Sequence, residues 1–278
     1  MTAADRRADF HALHAREQLF VMPNPWDVGS AKLLEVLGFE ALATTSAGFA
    51  WSVGKLDQAV TRAELVAHVT AVVAAIGVPL NVDSERCYPA DPGGIAETVA
   101  SLADAGAAGF SIEDYNPTTG AVEPIEVAVG QVTVAVEANR RLAAPMVLTA
   151  RAENHIRGVD DLDDTIERLV AYRDAGADAV YAPGLTDLDQ IAAVVATVGV
   201  PLNVLALPGG PTVADLASAG VRRVSTGSSP ASAAYGAMVA GARELLVCGT
   251  STYALAGVPR DLLAAALSPA DGGPRTDR

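Results

Sequence analysis

Cysteine is almost missing from this chain: Cys87 and Cys248 are the only two in 278 residues. Two thiols so far apart give neither a disulfide framework nor a zinc-ligand spacing, and both are expected to stay reduced. Long apolar runs are missing too. No stretch approaches the roughly 20 residues of a membrane span. The first residues, MTAADRRADFHALHAR, hold no apolar signal core, so a cytoplasmic protein is expected. Positive charge is scarce, with 19 Lys and Arg against 33 Asp and Glu and a net charge of −14. That balance argues against nucleic acid, whose phosphates need clustered basic residues. It leaves room for a small anionic substrate, because one buried Arg can outweigh a distant acidic surface.

What the chain has is apolar content, half of all residues, spread in short segments. Eight read as strands: 19–23, 41–46, 80–85, 109–114, 146–151, 179–184, 201–206 and 222–227. Most are continuous apolar runs, the pattern of parallel strands covered on both faces. Amphipathic stretches such as 61–76 and 161–176 lie between them. Three junctions, at Gly106, Gly176 and Gly220, repeat a helix, a glycine cap and a strand. Eight such units predict a (β/α)₈ barrel of the TIM type, one domain over 1–267 including extra C-terminal helices, with a frayed tail over 268–278.

Barrel enzymes carry their chemistry at strand C-termini, and several strands here end in polar groups. Asp83 and Glu85, two apart on one strand, are expected to point the same way. With Glu113 from the next strand they would make an all-oxygen site suited to Mg²⁺ or Mn²⁺. Acids also gather at strand ends because loops are solvated, but three on adjacent strands favour an ion. Arg151 closes an apolar strand and could clamp a carboxylate or phosphonate; it could equally pair with Glu153 or Glu113. The stretch Thr44-Thr45-Ser46-Ala47-Gly48 offers hydroxyls and backbone N–H groups to a carboxylate, a weaker signal because such residues populate turns anyway. Cys87 has no nearby base and reads as structural. His155 alone of the histidines falls near a strand end. The acids at 160–164 read as a helix N-terminus.

These residues, in this order, resemble the isocitrate lyase/phosphoenolpyruvate mutase superfamily over most of 17–247. The segment 22–57 is similar to the family's entry segment, with Thr45 and Ser46 at its Ser-Gly positions and Asp57 at its downstream Asp. Asp83-Ser84-Glu85 stands for the family's D-x-D, Glu113-Asp114 for its Glu-Asp, and Ala150-Arg151-Ala152-Glu153 for its Ala-Arg-Thr-Asp. The resemblance implies Mg²⁺ held by Asp83, Glu85 and Glu113, partly through waters. Thr45, Ser46, Ala47 and Arg151 would bind substrate. The chemistry implied is stabilisation of the enolate of a pyruvate-like group while a C–C or P–C bond breaks or forms.

The departures narrow this. The lyases' Lys-x-Cys-Gly-His loop is replaced by Asp114-Tyr-Asn-Pro-Thr-Thr-Gly120, so isocitrate cleavage is not expected. Asn116 and Thr118 are the polar groups left to serve there, on a loop expected to gate the pocket. The leading expectation is a Mg-dependent lyase, decarboxylase or hydrolase acting on an oxaloacetate- or phosphonopyruvate-like oxo-acid. A phosphonomutase, or a C–C lyase on a branched malate-like substrate, is the alternative; a barrel without catalysis, serving to bind, is the other class. Small residues in the helical segment 230–247 and an apolar segment at 259–267 fit a homo-oligomer, a dimer or tetramer, as the family forms.

Overall fold

The computed structural model describes residues 1–268, so the tail expected beyond that point lies outside the described residues. All eight expected strands are present. In chain order they are β1 (Phe20–Met22), β2 (Leu42–Ala43), β3 (Leu80–Asp83) and β4 (Gly109–Glu113), then, after a small hairpin of β5 (Tyr115–Asn116) and β6 (Ala121–Val122), β7 (Val147–Arg151), β8 (Ala179–Tyr181), β9 (Leu202–Leu205) and β10 (Arg223–Ser225). The eight pair in parallel in the order β1-β10-β9-β8-β7-β4-β3-β2. The ends of this sheet meet where Ala43 N–H donates to the Pro23 carbonyl at 3.1 Å. Asn24 stitches the same seam, donating to the Thr44 carbonyl at 2.7 Å and accepting from the N–H groups of Thr226 and Gly227. The result is a TIM-like, nearly closed barrel.

Helices cover it outside: α1 (Ala3–Ala15), α2 (Val28–Val36), α3 (Ser46–Ser52), α4 (Arg62–Ala75), α5 (Gly94–Asp104) and α6 (Ile125–Arg140), followed by α7 (Leu162–Ala175), α8 (Leu188–Val198), α9 (Val213–Ser218), α10 (Ser229–Cys248) and α11 (Arg260–Leu267). Their limits follow from local chemistry. At α7, Asp161 accepts from Asp164 N–H at 3.0 Å as N-cap, and acids in the first turn complement the helix dipole. The helix stops at Gly176, whose φ of 108° is closed to most side chains and whose Cβ would meet Arg140 Nη2 at 2.8 Å.

Helix α1 plugs the N-terminal end of the barrel. Phe10 and Leu13 pack with Phe20, Met22, Ala41, Ala43, Ala108 and Val147, and Arg7 ties the helix to the carbonyls of Ala103, Ala107 and Ala144. At the other end of the chain, α11 packs on α2. Helix α10 leaves apolar side chains in solvent, Leu246 at 86% and Val247 at 84% exposure.

The barrel interior departs from the branched apolar layers usual in this fold. Above the plug lies a polar layer of Asn81, Ser111, Thr149, Asn203 and Arg223, each at least 96% buried. The strand registers place Ser111 beside Thr149 and Asn203 beside Arg223. This layer forms the floor of the pocket above it.

Candidate active site

A cavity of about 210 Å³ opens at the C-terminal end of the barrel, lined by Thr45, Ser46, Ala47, Asp57, Asp83, Arg151 and Glu153 at its mouth. Deeper, Tyr181, Asn203 and Arg223 line it. Thr45, Ser46, Ala47, Asp57 and Asp83 therefore share one pocket with Arg151, while Glu85 and Glu113 lie off its lining.

Arg151 is the centre of the arrangement. Its Nη1 donates to Asp83 Oδ1 at 2.7 Å, Nε to Glu153 Oε1 at 2.9 Å, and Nη2 lies 3.3 Å from Glu113 Oε2. Its plane also approaches the Tyr181 ring, 5.2 Å from the centroid. The strand registers account for this: Glu113 is Arg151's direct neighbour across β4–β7, and Tyr181 its neighbour across β7–β8. Both expectations for Arg151 are thus present at once. It stands in the pocket, and it is engaged by carboxylates on three sides.

Asp83 ends β3. Its Oδ2 accepts from Ser46 N–H at 3.0 Å, and its own N–H donates to Thr44 Oγ1 at 2.9 Å. The Thr45–Ser46 stretch is a helix start more than a turn: Thr45 caps α3, which begins at Ser46. Glu85 sits differently from the expectation. The strand stops at Asp83, and Glu85, Cys87 and Tyr88 all have left-handed φ, 50°, 55° and 49°. The alternation of a strand therefore does not extend to Glu85; a strained turn orients it, of the kind found beside functional sites. Its carboxyl is buried, and that burial with the charges of Asp83 and Asp57 pushes it up to about 8. Glu113 accepts from Gln58 Nε2 at 3.0 Å. Burial, then the neighbouring Glu153, raises its carboxyl well above the usual carboxylate range.

Glu153, counted in the sequence only as a partner for Arg151, is a full member of the cluster. Asp114, the second half of Glu113-Asp114, holds it: Asp114 Oδ1 accepts from Glu153 N–H at 2.9 Å, while Oδ2 takes the Tyr172 hydroxyl at 2.6 Å. Asn116 and Thr118 stand apart. Asn116 donates to Glu123 and accepts from Thr118 N–H, which keeps both in the β5–β6 hairpin and off the pocket wall. Cys87 is buried against Ser84, its thiol pushed up to about 12 by burial, as a structural thiol should be. His155 faces Asp160 at 3.3 Å, away from the pocket lining. Sequence reasoning passed over Asn24, Tyr181, Asn203 and Arg223.

Among the described residues no three His, Cys, Asp or Glu side chains converge closely enough to hold an ion by themselves. The charge balance nevertheless fits a divalent cation. Asp83, Glu85, Glu113 and Glu153 gather around Arg151, with Arg157 reaching Glu153 alone, and Glu85 and Glu113 are raised by burial and then by their neighbours' charge. Mg²⁺ keeps several waters and takes one or two carboxylates, so it needs no closed protein cage.

A model of the phosphoenolpyruvate phosphomutase family matches residues 10–246. The chain belongs to that family. It is therefore a member of the isocitrate lyase/phosphoenolpyruvate mutase superfamily, a group of enzymes. An uncharacterised protein of Mycobacterium tuberculosis is 37% identical over 85% of this chain and 88% of its own length. An oxaloacetate decarboxylase of Chromohalobacter salexigens is 30% identical, covering 80% of this chain and 79% of that protein. Among solved structures, a putative lyase/mutase from Burkholderia cenocepacia J2315 is 46% identical, with a TM-score of 0.90 over 96% of this chain and 97% of the other.

Proposed function

We propose that this family member is a divalent-metal-dependent enzyme that breaks a C–C bond of a small 2-oxo dicarboxylic acid, a decarboxylase or hydrolase of the oxaloacetate type. The observation that carries the reading is the buried excess of carboxylates around Arg151 on a pocket with polar walls. Asp83 would hold Mg²⁺ or Mn²⁺ directly, with Glu85, Glu113 and Asp57 around it. The chemistry such an ion supplies when bound is Lewis-acid stabilisation of negative charge on the substrate's oxo oxygen. Arg151 fixes the orientation of Asp83, Glu113 and Glu153, and so keeps the acidic wall rigid in the ground state. The side chains of Thr45 and Ser46 present hydroxyls at the mouth, where a carboxylate can be oriented. Tyr181 and the polar layer below it bound the pocket at its inner end.

The lack of a Cys on the 114–120 loop agrees with this reaction class, because a decarboxylation leaves CO₂ and needs its proton only afterwards. The C. salexigens relative named an oxaloacetate decarboxylase supports the same choice. The test is turnover of oxaloacetate with and without Mg²⁺, separating pyruvate plus CO₂ from oxalate plus acetate by product analysis. Either product pair, abolished by chelation, supports the reading. Turnover of phosphonopyruvate alone would move the reaction to P–C chemistry, and no turnover of any 2-oxo acid would refute it.

A further inference from the structure

Arg223 is the one guanidinium on the pocket wall that meets no carboxylate among the described residues. Its side chain enters the barrel and is 98% buried, at 2% exposure. Three neutral acceptors receive it. Nε donates to Asn203 Oδ1 at 2.9 Å, Nη2 to Thr149 Oγ1 at 3.0 Å, and Nη1 lies 3.0 Å from His14 Nε2. His14 acts as acceptor because its Nδ1 faces the Phe10 carbonyl at 2.8 Å, which fixes the neutral tautomer with hydrogen on Nδ1. Three of five N–H groups are thus used, and none of the partners carries negative charge.

This contrasts with Arg151, whose donors are shared among Asp83, Glu113 and Glu153. A buried charge with no counter-ion is a standing cost to the fold. Burial pushes the Arg223 guanidinium down to about 10, still protonated at neutral pH. Arg223 is one of the residues that line the cavity, which sets it beside the space an anion would enter. Thr149, which Arg223 touches, lies two residues before Arg151 on β7, roughly 6.6 Å lower along the strand. The uncompensated cation therefore sits one layer beneath the acidic mouth.

We propose that Arg223 recognises a second carboxylate of the substrate at the pocket floor, so that the enzyme selects four-carbon dicarboxylates over 2-oxo monocarboxylates. This deepens the functional reading above and rests on its choice of site. Asn203 and Thr149 hold the guanidinium in place, and the acid group at the mouth is left to Thr45, Ser46 and the acidic wall with its cation. Any site built for a single small carboxylate would have no reason to keep a free charge one layer deeper.

Succinate is the probe, since it has two carboxylates and no oxo group or scissile bond; its binding is independent of turnover. Titration calorimetry should show succinate weakened at least tenfold in Arg223→Met, with pyruvate affinity changed less than twofold. Arg223→Lys should recover part of the succinate affinity. Should Arg223→Met fail to fold by circular dichroism, Arg223→Gln, which keeps hydrogen bonding without charge, gives the same comparison with Arg223→Lys. Equal succinate affinity in wild type and Arg223→Gln or Arg223→Met overturns the proposal, as does wild type that does not bind succinate. Failure of the functional reading shows separately, as no turnover of 2-oxo acids by a protein that still binds succinate through Arg223.

Discussion

Replacing Arg151 by Met removes the guanidinium that contacts Asp83, Glu113 and Glu153 together, leaving Arg157 at Glu153 alone, while keeping most of the side-chain volume. All three acids contact it at 2.7 to 3.3 Å, and Glu113 and Glu153 are almost fully buried, with side chains 2% and 1% exposed. Removing one partner of a buried ion pair typically costs about 3–5 kcal/mol, because the remaining charge is left uncompensated. For a chain this size that is a fall in Tm on the order of 10 °C. The loss has a sign in pH. Burial already holds Glu113 and Glu153 above their usual range in the folded state, and without Arg151 they rise further. A carboxyl raised on folding binds more protons folded than unfolded, so stability falls as pH rises through the window from about 4.5 up to the folded value. The variant should therefore lose most near pH 8 and recover toward pH 5. Mg²⁺ at pH 8 should restore stability better than NaCl of equal ionic strength, since it supplies the missing positive charge. Urea unfolding at pH 5, 6.5 and 8, with and without MgCl₂, measures all of this. A variant as stable as wild type at pH 8, with no pH slope of its own, would show that the acids do not depend on Arg151 and would refute the reasoning.

Asp83→Asn should weaken Mn²⁺ or Mg²⁺ binding at least tenfold, about 1.4 kcal/mol, by calorimetry; unchanged affinity would remove Asp83 from the cation site. His68, stacked on Phe49 with ring centroids 3.9 Å apart and with Nε2 buried and unpartnered, is pushed down from 6.5 to about 4 by burial. Its unfolded form takes the proton first, so stability present above pH 6.5 is lost as pH falls toward 4, about 3 kcal/mol across that window. His68→Phe should cost little at pH 7 and flatten the acid limb of a stability–pH curve, and an unchanged limb would assign the acid loss elsewhere. The exposed apolar side chains of α10, with Leu255 at 91% exposure after it, form a surface that a monomer would leave in water. Light scattering at micromolar concentration should report a dimer or tetramer, and a monomer would leave that surface without an assigned partner.

The strands were legible because parallel strands buried on both sides must be apolar throughout, and all eight windows contain one. Their C-terminal limits were not. Asp83-Ser84-Glu85 reads as a continuing strand, but Glu85 turns into left-handed backbone, a conformation that sequence rarely announces for a Glu. The hairpin at 115–122 reads as a loop because Pro117 and Gly120 dominate it, and its strands are two residues each. In the site, acids and Arg151 at strand ends stood out against apolar neighbours. Arg223 did not, since Arg222-Arg223 looks like a solvated pair. Alternation would have separated them: Arg222 turns out to the Glu17 carbonyl, while Arg223 shares its parity with Ser225 and faces inward.

The N-terminal helix makes the underside of this barrel part of its pocket. In most barrels the bottom face answers for stability and the top face for chemistry, and the two tolerate change independently. Here His14, on the plug, contacts the guanidinium of Arg223, a residue that lines the cavity. A substitution on α1, or a chain begun after it, would loosen the pocket floor from the side opposite its entrance. If Arg223 sets selectivity as proposed, that selectivity depends on the first fifteen residues as much as on the strand ends.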